Sequence, residues 1–327
     1  MDMKEKQLEL STQILIAEAL KRDIKVEILS YDDNFIRLSN PNKVEYIMQA
    51  TKTSLDTYIV PLIMENKKIT KLLLKEKRIN VPYGFEVKSI EEGKVYYSFF
   101  EGKDIVIKPN STNFGKGITI LMKKSLEEYE KALRFAFEYD EKVLIENHVQ
   151  GKEYRFLIIG AEVAAILHRV PANVVGDGIS NIKELVERKN DSPLRGVGYV
   201  TPLEKIQLGK IELDFIKKHG YTTESIPSKN QIVYLRENSN ISTGGDSIDY
   251  TDIVMDAYKA IALQATKVVD AKICGLDMII QNIHEKPNEK NYSIIELNYN
   301  PALHIHNYPY EGINRNVEKK VLDLLGF

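Results

Sequence analysis

The stretch "VIKPNSTNFGKGITI" (Val106–Ile120) decides how this chain is read. Alternating apolar residues deliver Lys108 to the end of a strand, and Pro109 breaks the pairing. Gly115 and Gly117, two glycines within three residues, let backbone N–H groups point into one concavity, which suits an anion. The order Gly-x4-Gly-Lys-Ser/Thr is absent and the loop lies between strands, so this is not a Walker A loop. A strand, a glycine loop and a second strand form instead the kinase-like flap that closes over a nucleotide's phosphates. Taken alone, the segment reads first as an ordinary hairpin with a flexible tip.

Working outward, the 327 residues suffice for two or three subdomains with substantial cores. An apolar fraction of 43% and a charged fraction of 28% are those of a soluble globular protein. Basic and acidic residues nearly cancel, 45 against 47, so no whole-protein field for nucleic acid or membrane is built in. The Lys-rich segments "ENKKITKLLLKEKR" and "KKSLEEYEKALR" read as solvated helix faces rather than nucleic-acid patches. The lone Cys274 excludes an internal disulfide framework and a cysteine zinc site. No apolar run spans a membrane, and "MDMKEKQLELSTQ" lacks the apolar core of a signal peptide. The expectation is a cytoplasmic protein.

Helical spacing over residues 8–22 predicts a helix capped by Ser11 or Thr12, followed by short alternating strands "KVEILS" and "FIRLS". A helix is expected from near Glu65 to just before Val81-Pro82, giving a first domain, 1–82. A second domain, 83–149, holds the glycine loop, a helix over 125–138 and the strand "VLIENHV". A third, 150–327, opens on a hairpin turned at Gly160-Ala161. It continues through a charged helical insertion (181–219) and a helix from about 252 to 270, and closes on the strands "CGLDMII" and "SIIELNYNP".

Three further constellations carry chemistry. In the closing strands, Glu296 and Asn298 share one strand face and Asp277 sits amid apolar residues on the preceding strand. Two carboxylates and an amide oxygen suit Mg²⁺ rather than zinc; the bland reading is solvated strand ends. In "VLIENHVQGKEYRF", Glu146, Asn147 and His148 read as the edge of an adenine pocket, continuing to Val149, with Glu153 for ribose hydroxyls. His148 reads first as structural, and Arg155 is equally a salt-bridge partner for Glu153. Arg169 and Arg236 each end an apolar strand and enter a polar glycine-containing loop, where a guanidinium fork can hold a carboxylate or steady an oxyanion. For Arg169 a surface salt bridge is the equal alternative.

The order helix-borne Lys, strand Lys with glycine flap, hinge Glu, arginine loop, Asp and Glu-x-Asn resembles the ATP-grasp ligase superfamily. The blocks "IKPNSTNFGKGI", "EYRFLIIG", "RVPANVVGDGI", "YLRENSNISTGGDSID" and "IIELNYNPALHIH" are most similar to the glutathione-synthetase-type module of bacterial bifunctional glutamate–cysteine ligase/glutathione synthetases. The resemblance implies an α+β ATP-grasp fold, two αβ subdomains clasping ATP, preceded by a smaller α/β N-terminal domain. It implies that Lys67 and Lys108 contact the ATP phosphates, under a flap running from Ser111 through Asn113 and Gly115 to Gly117. Glu146 and Glu153 would lie at the adenosine, and Asp277, Glu296 and Asn298 would hold two Mg²⁺ ions, with Mn²⁺ as a substitute. Arg236 would steady the acyl phosphate and tetrahedral intermediate, with Asn238, Ser239 and Asn240 lining the acceptor side. The implied reaction joins a small-molecule carboxylate to an amine, γ-glutamylcysteine to glycine, in a protein of a family that suggests a homodimer. Another ATP-grasp ligase with a different substrate pair, and a non-catalytic nucleotide-binding regulator, remain open alternatives. The large glutamate–cysteine ligase region of that family is not among these residues, so the expectation is that another polypeptide supplies γ-glutamylcysteine or that the ligase uses a different carboxylate and amine.

Overall fold

The apolar patterns of the chain close into two compact units, each assembled from separated segments, in a computed structural model that describes residues 8–112, 115–122 and 124–327. In chain order, α1 (Leu10–Lys21), β1 (Lys25–Ser30), β2 (Phe35–Asn40) and β3 (Lys43–Met48) open the first unit, which takes the described residues up to Leu55. The second unit takes Asp56–Val163. It holds α2 (Ile59–Glu65), α3 (Lys67–Glu76), β4 (Gly84–Val87), α4 (Ile90–Val95), β5 (Ile105–Pro109), β6 (Thr119–Leu121), α5 (Leu126–Phe137), β7 (Val143–Asn147) and β8 (Lys152–Ile159).

Within β9 (Glu162–Val170) the chain returns to the first unit, Ala164–Thr251. There it forms β10 (Asn173–Val175), α6 (Ile182–Asn190), β11 (Arg195–Gly196), β12 (Leu203–Glu204), α7 (Lys210–Lys218), β13 (Ile232–Tyr234) and β14 (Asp246–Asp249). Asp252–Tyr299 rejoins the second unit with α8 (Asp256–Val269), β15 (Ile273–Ile280) and β16 (Tyr292–Asn298). Asn300–Phe327, with α9 (His304–Asn307) and α10 (Val317–Leu325), completes the first. The boundaries expected near Pro82 and after Val149 both lie inside the second unit.

The second unit contains two antiparallel sheets. One runs in the order β4-β7-β5-β6, and in the other β15 lies between β8 and β16. The first sheet buries Val87, Ile105, Ile107, Val143 and Ile145 against Phe100 and, from α5, Tyr129 and Leu133. The hairpin β5–β6 pairs Ile105 with Leu121 and Ile107 with Thr119, and so places the glycine loop at one end of this sheet. In the first unit β1-β2-β3 form an antiparallel sheet, β9 pairs with β14, and β10 with β13. The charged stretch expected as a helical insertion holds α6 and α7, with the short parallel pair β11–β12 between them. No helix among the described residues is long and apolar enough to cross a membrane.

Capping groups explain where several helices begin. Ser125 with Glu128, and Asn181 with Glu184, close capping boxes on α5 and α6. Asn66 is extended and its side chain accepts from the Ile69 N–H, so the helix expected from Glu65 starts instead at Lys67, after the separate α2. It stops at Glu76, well ahead of Pro82, where Lys77 caps it and Arg78 turns left-handed at φ +58°. The cap expected at Ser11 or Thr12 is Glu9: both hydroxyl residues lie inside the first turn of α1 and are buried. Ser11 is otherwise engaged, its Oγ accepting from Leu303 N–H at 3.0 Å and lying 2.8 Å from His304 Nδ1.

Candidate functional site

Helix α3 presents Lys67 and Lys71, four residues apart and therefore on one face. Lys67 is 5% exposed, and its Nζ donates to the carbonyls of Asn110 (3.3 Å) and Thr112 (2.6 Å) at the root of the glycine loop. Asn110, fully buried, ties the same root to the helix start: its Oδ1 accepts from Lys68 N–H at 3.0 Å, and its Nδ2 donates to Asn66 Oδ1 at 3.0 Å. Ser111 N–H donates to Asp140 Oδ2 at 2.7 Å. Gly115 and Gly117 have φ of +72° and +73°, a left-handed conformation that glycine adopts without steric cost. Asn113 lies outside the described residues.

Lys108, at the end of β5, meets Glu146 on the neighbouring β7, Nζ to Oε2 at 2.9 Å. The other oxygen of Glu146 is held by Lys71. All three groups are buried, so two ammonium charges share one carboxylate away from water. Burial works to raise Glu146, but Lys108 and Lys71 outweigh it and hold the carboxyl below the usual range. Burial likewise works to lower Lys108, and Glu146 outweighs it, so this ammonium is raised. Lys71 is left under-compensated: burial pushes it down to about 7 despite Glu146, and the like charge of Lys108 adds to the fall. Lys67, also buried, is lowered by desolvation.

Beyond Glu146 the chain forms the wall of a cavity of about 500 Å³, lined by Asn147, His148, Val149 and Gln150 with Asn80–Pro82 and Tyr292–Ser293 among others. Asn147 N–H donates to the Tyr83 carbonyl at 2.9 Å, and His148 N–H to that of Asp104 at 2.9 Å. Burial lowers the His148 imidazole, whose buried Nδ1 has no partner among the described residues.

The acid set lies on the other sheet of this unit. Register places Arg155, Asp277 and Glu296 side by side across β8, β15 and β16, with Asn298 two residues along. Asn298 Nδ2 is 3.3 Å from Asp277 Oδ2 and 3.2 Å from Glu296 Oε1, so the three expected donors converge. Asp277 is wholly buried and takes a two-pronged ion pair from Arg155, with Nη2 to Oδ2 at 2.7 Å. The salt-bridge partner of Arg155 is therefore Asp277. Glu153 stands two residues before Arg155, across from Ile279, on the face shared with Asp277.

The donor set fits a hard divalent cation. A bidentate guanidinium leaves the outer lone pairs of a carboxylate open, and turning the Asn298 amide would present its oxygen. Among the described residues no three of His, Cys, Asp and Glu gather as a metal cage. Such a cation would keep water or phosphate oxygens, as Mg²⁺ does.

The first unit holds the remaining expected residues. Arg236, just past β13, is ion-paired through Nε with the buried Glu212 on α7. Asn238, Ser239 and Asn240 follow it into a short 3₁₀ turn, where Thr243 Oγ1 donates to Asn238 Oδ1 at 3.0 Å. Gly244 closes that turn at φ +92°. Arg169 is buried on β9 opposite Ser247. Sequence reasoning missed Lys71 and Asn110. The Lys67-x3-Lys71 spacing, read as a helix face, was the available signal for the first; nothing local marked the second.

Two sequence families match the chain: an ATP-grasp-like domain over residues 6–59 and the D-ala D-ala ligase C-terminus over residues 101–181. The chain is 57% identical over 319 residues to the glutathione biosynthesis bifunctional protein GshAB of Clostridium perfringens, covering 97% of this chain and 41% of that protein. It is 51% identical over 321 residues to the protein of the same name from Desulfotalea psychrophila, covering 98% and 41%. The solved bifunctional glutathione synthetase of Pasteurella multocida superposes with a TM-score of 0.75 at 46% identity, over 98% of this chain and 43% of that one. The chain thus spans about two fifths of the length of the curated relatives it matches.

Proposed function

We propose that this chain, which is similar over nearly its whole length to part of the bifunctional glutathione biosynthesis proteins, is an ATP-grasp protein and an ATP-dependent carboxylate–amine ligase joining γ-glutamylcysteine to glycine. The observation that carries the reading is the convergence of Asp277, Glu296 and Asn298 on adjacent strands of the unit that also holds Lys67, Lys108 and the glycine loop. An acid–acid–amide set and buried lysines under a flap are what a nucleotide's phosphates and their metal require.

In this reading Lys67 and Lys108 bind the phosphates and the loop Ser111–Gly117 covers them. The base occupies the cavity beside Asn147 and Val149: the amides of Asn147 and His148 are spent on Tyr83 and Asp104, and among the described residues that of Val149 is the hinge amide left for adenine. Glu153 takes the ribose hydroxyls. Asp277, Glu296 and Asn298 would hold two Mg²⁺ ions, or Mn²⁺ in their place, whose bound charge would polarise the γ-phosphoryl group. The carboxylate attacks that phosphorus and ADP leaves; the amine nitrogen then attacks the acyl carbon and phosphate departs. Arg236 steadies the oxyanion, while Arg169, Asn238, Ser239 and Asn240 orient carboxylate and amine. No enzyme nucleophile is needed, in keeping with a Cys274 thiol that burial raises far above its usual value. A cytoplasmic homodimer is part of the same reading.

The test is ADP release with MgATP, γ-glutamylcysteine and glycine, with the product identified by mass spectrometry. Glutathione formed at about one turnover per second or faster supports the ligase reaction and its substrates. ADP released only with another carboxylate–amine pair keeps the ligase chemistry and overturns the substrates. ATP binding with no release under any pair favours a regulator.

A further inference from the structure

Lys71 lies outside the set of residues assigned above, yet it is buried, and it faces a carboxylate that Lys108 already neutralises. With Lys71 protonated, Lys71, Lys108 and Glu146 together carry two positive charges and one negative, as they would in titrations run below pH 7. Placing a second ammonium in a dry interior beside a like charge is costly unless another charge is to be met there. Among the described residues, Lys67 lies on the same face of α3, Glu296 acts electrostatically on both Lys67 and Lys108, and Asp140 acts on Lys67. Glu296 belongs to the proposed metal set, so its charge is spoken for when the site is loaded. Glu146 is also fixed in place, since it sits on β7 between β4 and β5 and runs straight into the cavity wall at Asn147.

We propose that Lys71 is a positioning residue for nucleotide binding, holding one oxygen of Glu146 so that Lys108 keeps a surplus positive charge for the phosphate anion. Without Lys71, the carboxylate cancels Lys108 and the cluster becomes neutral. With it, the cluster keeps one net positive charge, and α3 is tied both to the flap root through Lys67 and to β7 through Lys71. The inference rests on the reading of Lys108 as a phosphate ligand.

Charge cycling separates this role from simple packing. MgADP binding to the purified chain would be measured by calorimetry for Lys71→Met, Glu146→Gln, the double variant and Lys108→Met, each checked for folding by circular dichroism. The expected result is binding weakened about 10- to 100-fold in Lys71→Met, the scale of one unit charge removed about 6–12 Å from another at an effective dielectric near 20. Binding should recover at least about threefold over Lys71→Met in Lys71→Met/Glu146→Gln, where the net charge is again +1. A double variant no better than Lys71→Met would overturn the inference in favour of packing, as would a Lys71→Met that binds normally while Lys108→Met does not. Lys108→Met binding like wild type would instead sink the underlying reading of the phosphate site. If Lys71→Met is too unstable to titrate, Glu146→Gln against the double variant still decides: both should bind, and a double variant as weak as Lys108→Met overturns the inference.

Discussion

Asp277 has Arg155 on one side and Glu296 on the other, in a sheet where none of its surface reaches water. Asp277→Asn should therefore do two things at once. It should abolish Mg²⁺-dependent ADP release, and it should destabilise the fold by about 3–5 kcal/mol in urea titrations, because Arg155 is left buried without its counter-ion. Arg236→Ala is expected to lower turnover by about 10² to 10³, the usual loss for one oxyanion donor; a near-normal rate in the purified variant would remove Arg236 from the mechanism. His304 makes a pH prediction. Burial lowers its imidazole to about 4, against about 6.5 in an unfolded chain. Between those values the unfolded state binds more protons, so stability should fall as pH drops from 6.5 to 4, by up to about 3 kcal/mol. Urea midpoints at pH 7 and 4.5 should show it, and His304→Gln should lose that part of the dependence. At this scale the sequence supplied residue types, two acids with an amide on neighbouring strands and two lysines flanking a glycine loop, and the structure brings the acids and amide together. Their partners were not legible: Arg155 was read as a salt-bridge partner for Glu153, and strand register gave it Asp277.

Elements were read best where a capping group or a breaker is local. The α5 helix, β5 and β15 lie within a residue of their expected bounds, while β16 ends at Asn298, three residues before the expected Pro301. The helix misses share a cause: Asn66 divides a continuous apolar pattern because its side chain caps α3, and Ser11 leaves the capping role to contact Leu303 and His304, nearly three hundred residues away. The turn after Asn238–Asn240 gives a further test. A Cβ on Gly244 would lie 2.8 Å from Ile206 Cα, in addition to the left-handed φ. Gly220 has a similar φ of +82° with open space around it. Gly220→Ala should cost about 1–2 kcal/mol from backbone strain alone, and Gly244→Ala clearly more, in paired thermal melts.

For the whole molecule, the expected nucleotide and metal residues fall in one compact unit and Arg169, Arg236 and Asn238–Asn240 in the other. Saturating nucleotide should accordingly stabilise the fold: MgATP at a hundred times its Kd is expected to add about 2.7 kcal/mol. A thermal-shift series should show this, with a smaller effect when EDTA replaces Mg²⁺. By itself the sequence determined the α+β class, the strand–loop–strand at Val106–Ile120, and the residue types on which the ATP-grasp resemblance rests. Those properties depend on near neighbours, on periods of two and 3.6 residues, and on glycine and proline geometry. Only the tertiary structure decided that the units are built from discontinuous segments, that Asp277 answers Arg155, and that Lys71 and Lys108 divide one carboxylate between them. Which charge neutralises which depends on distances between residues tens to hundreds of positions apart, and only folding brings these together.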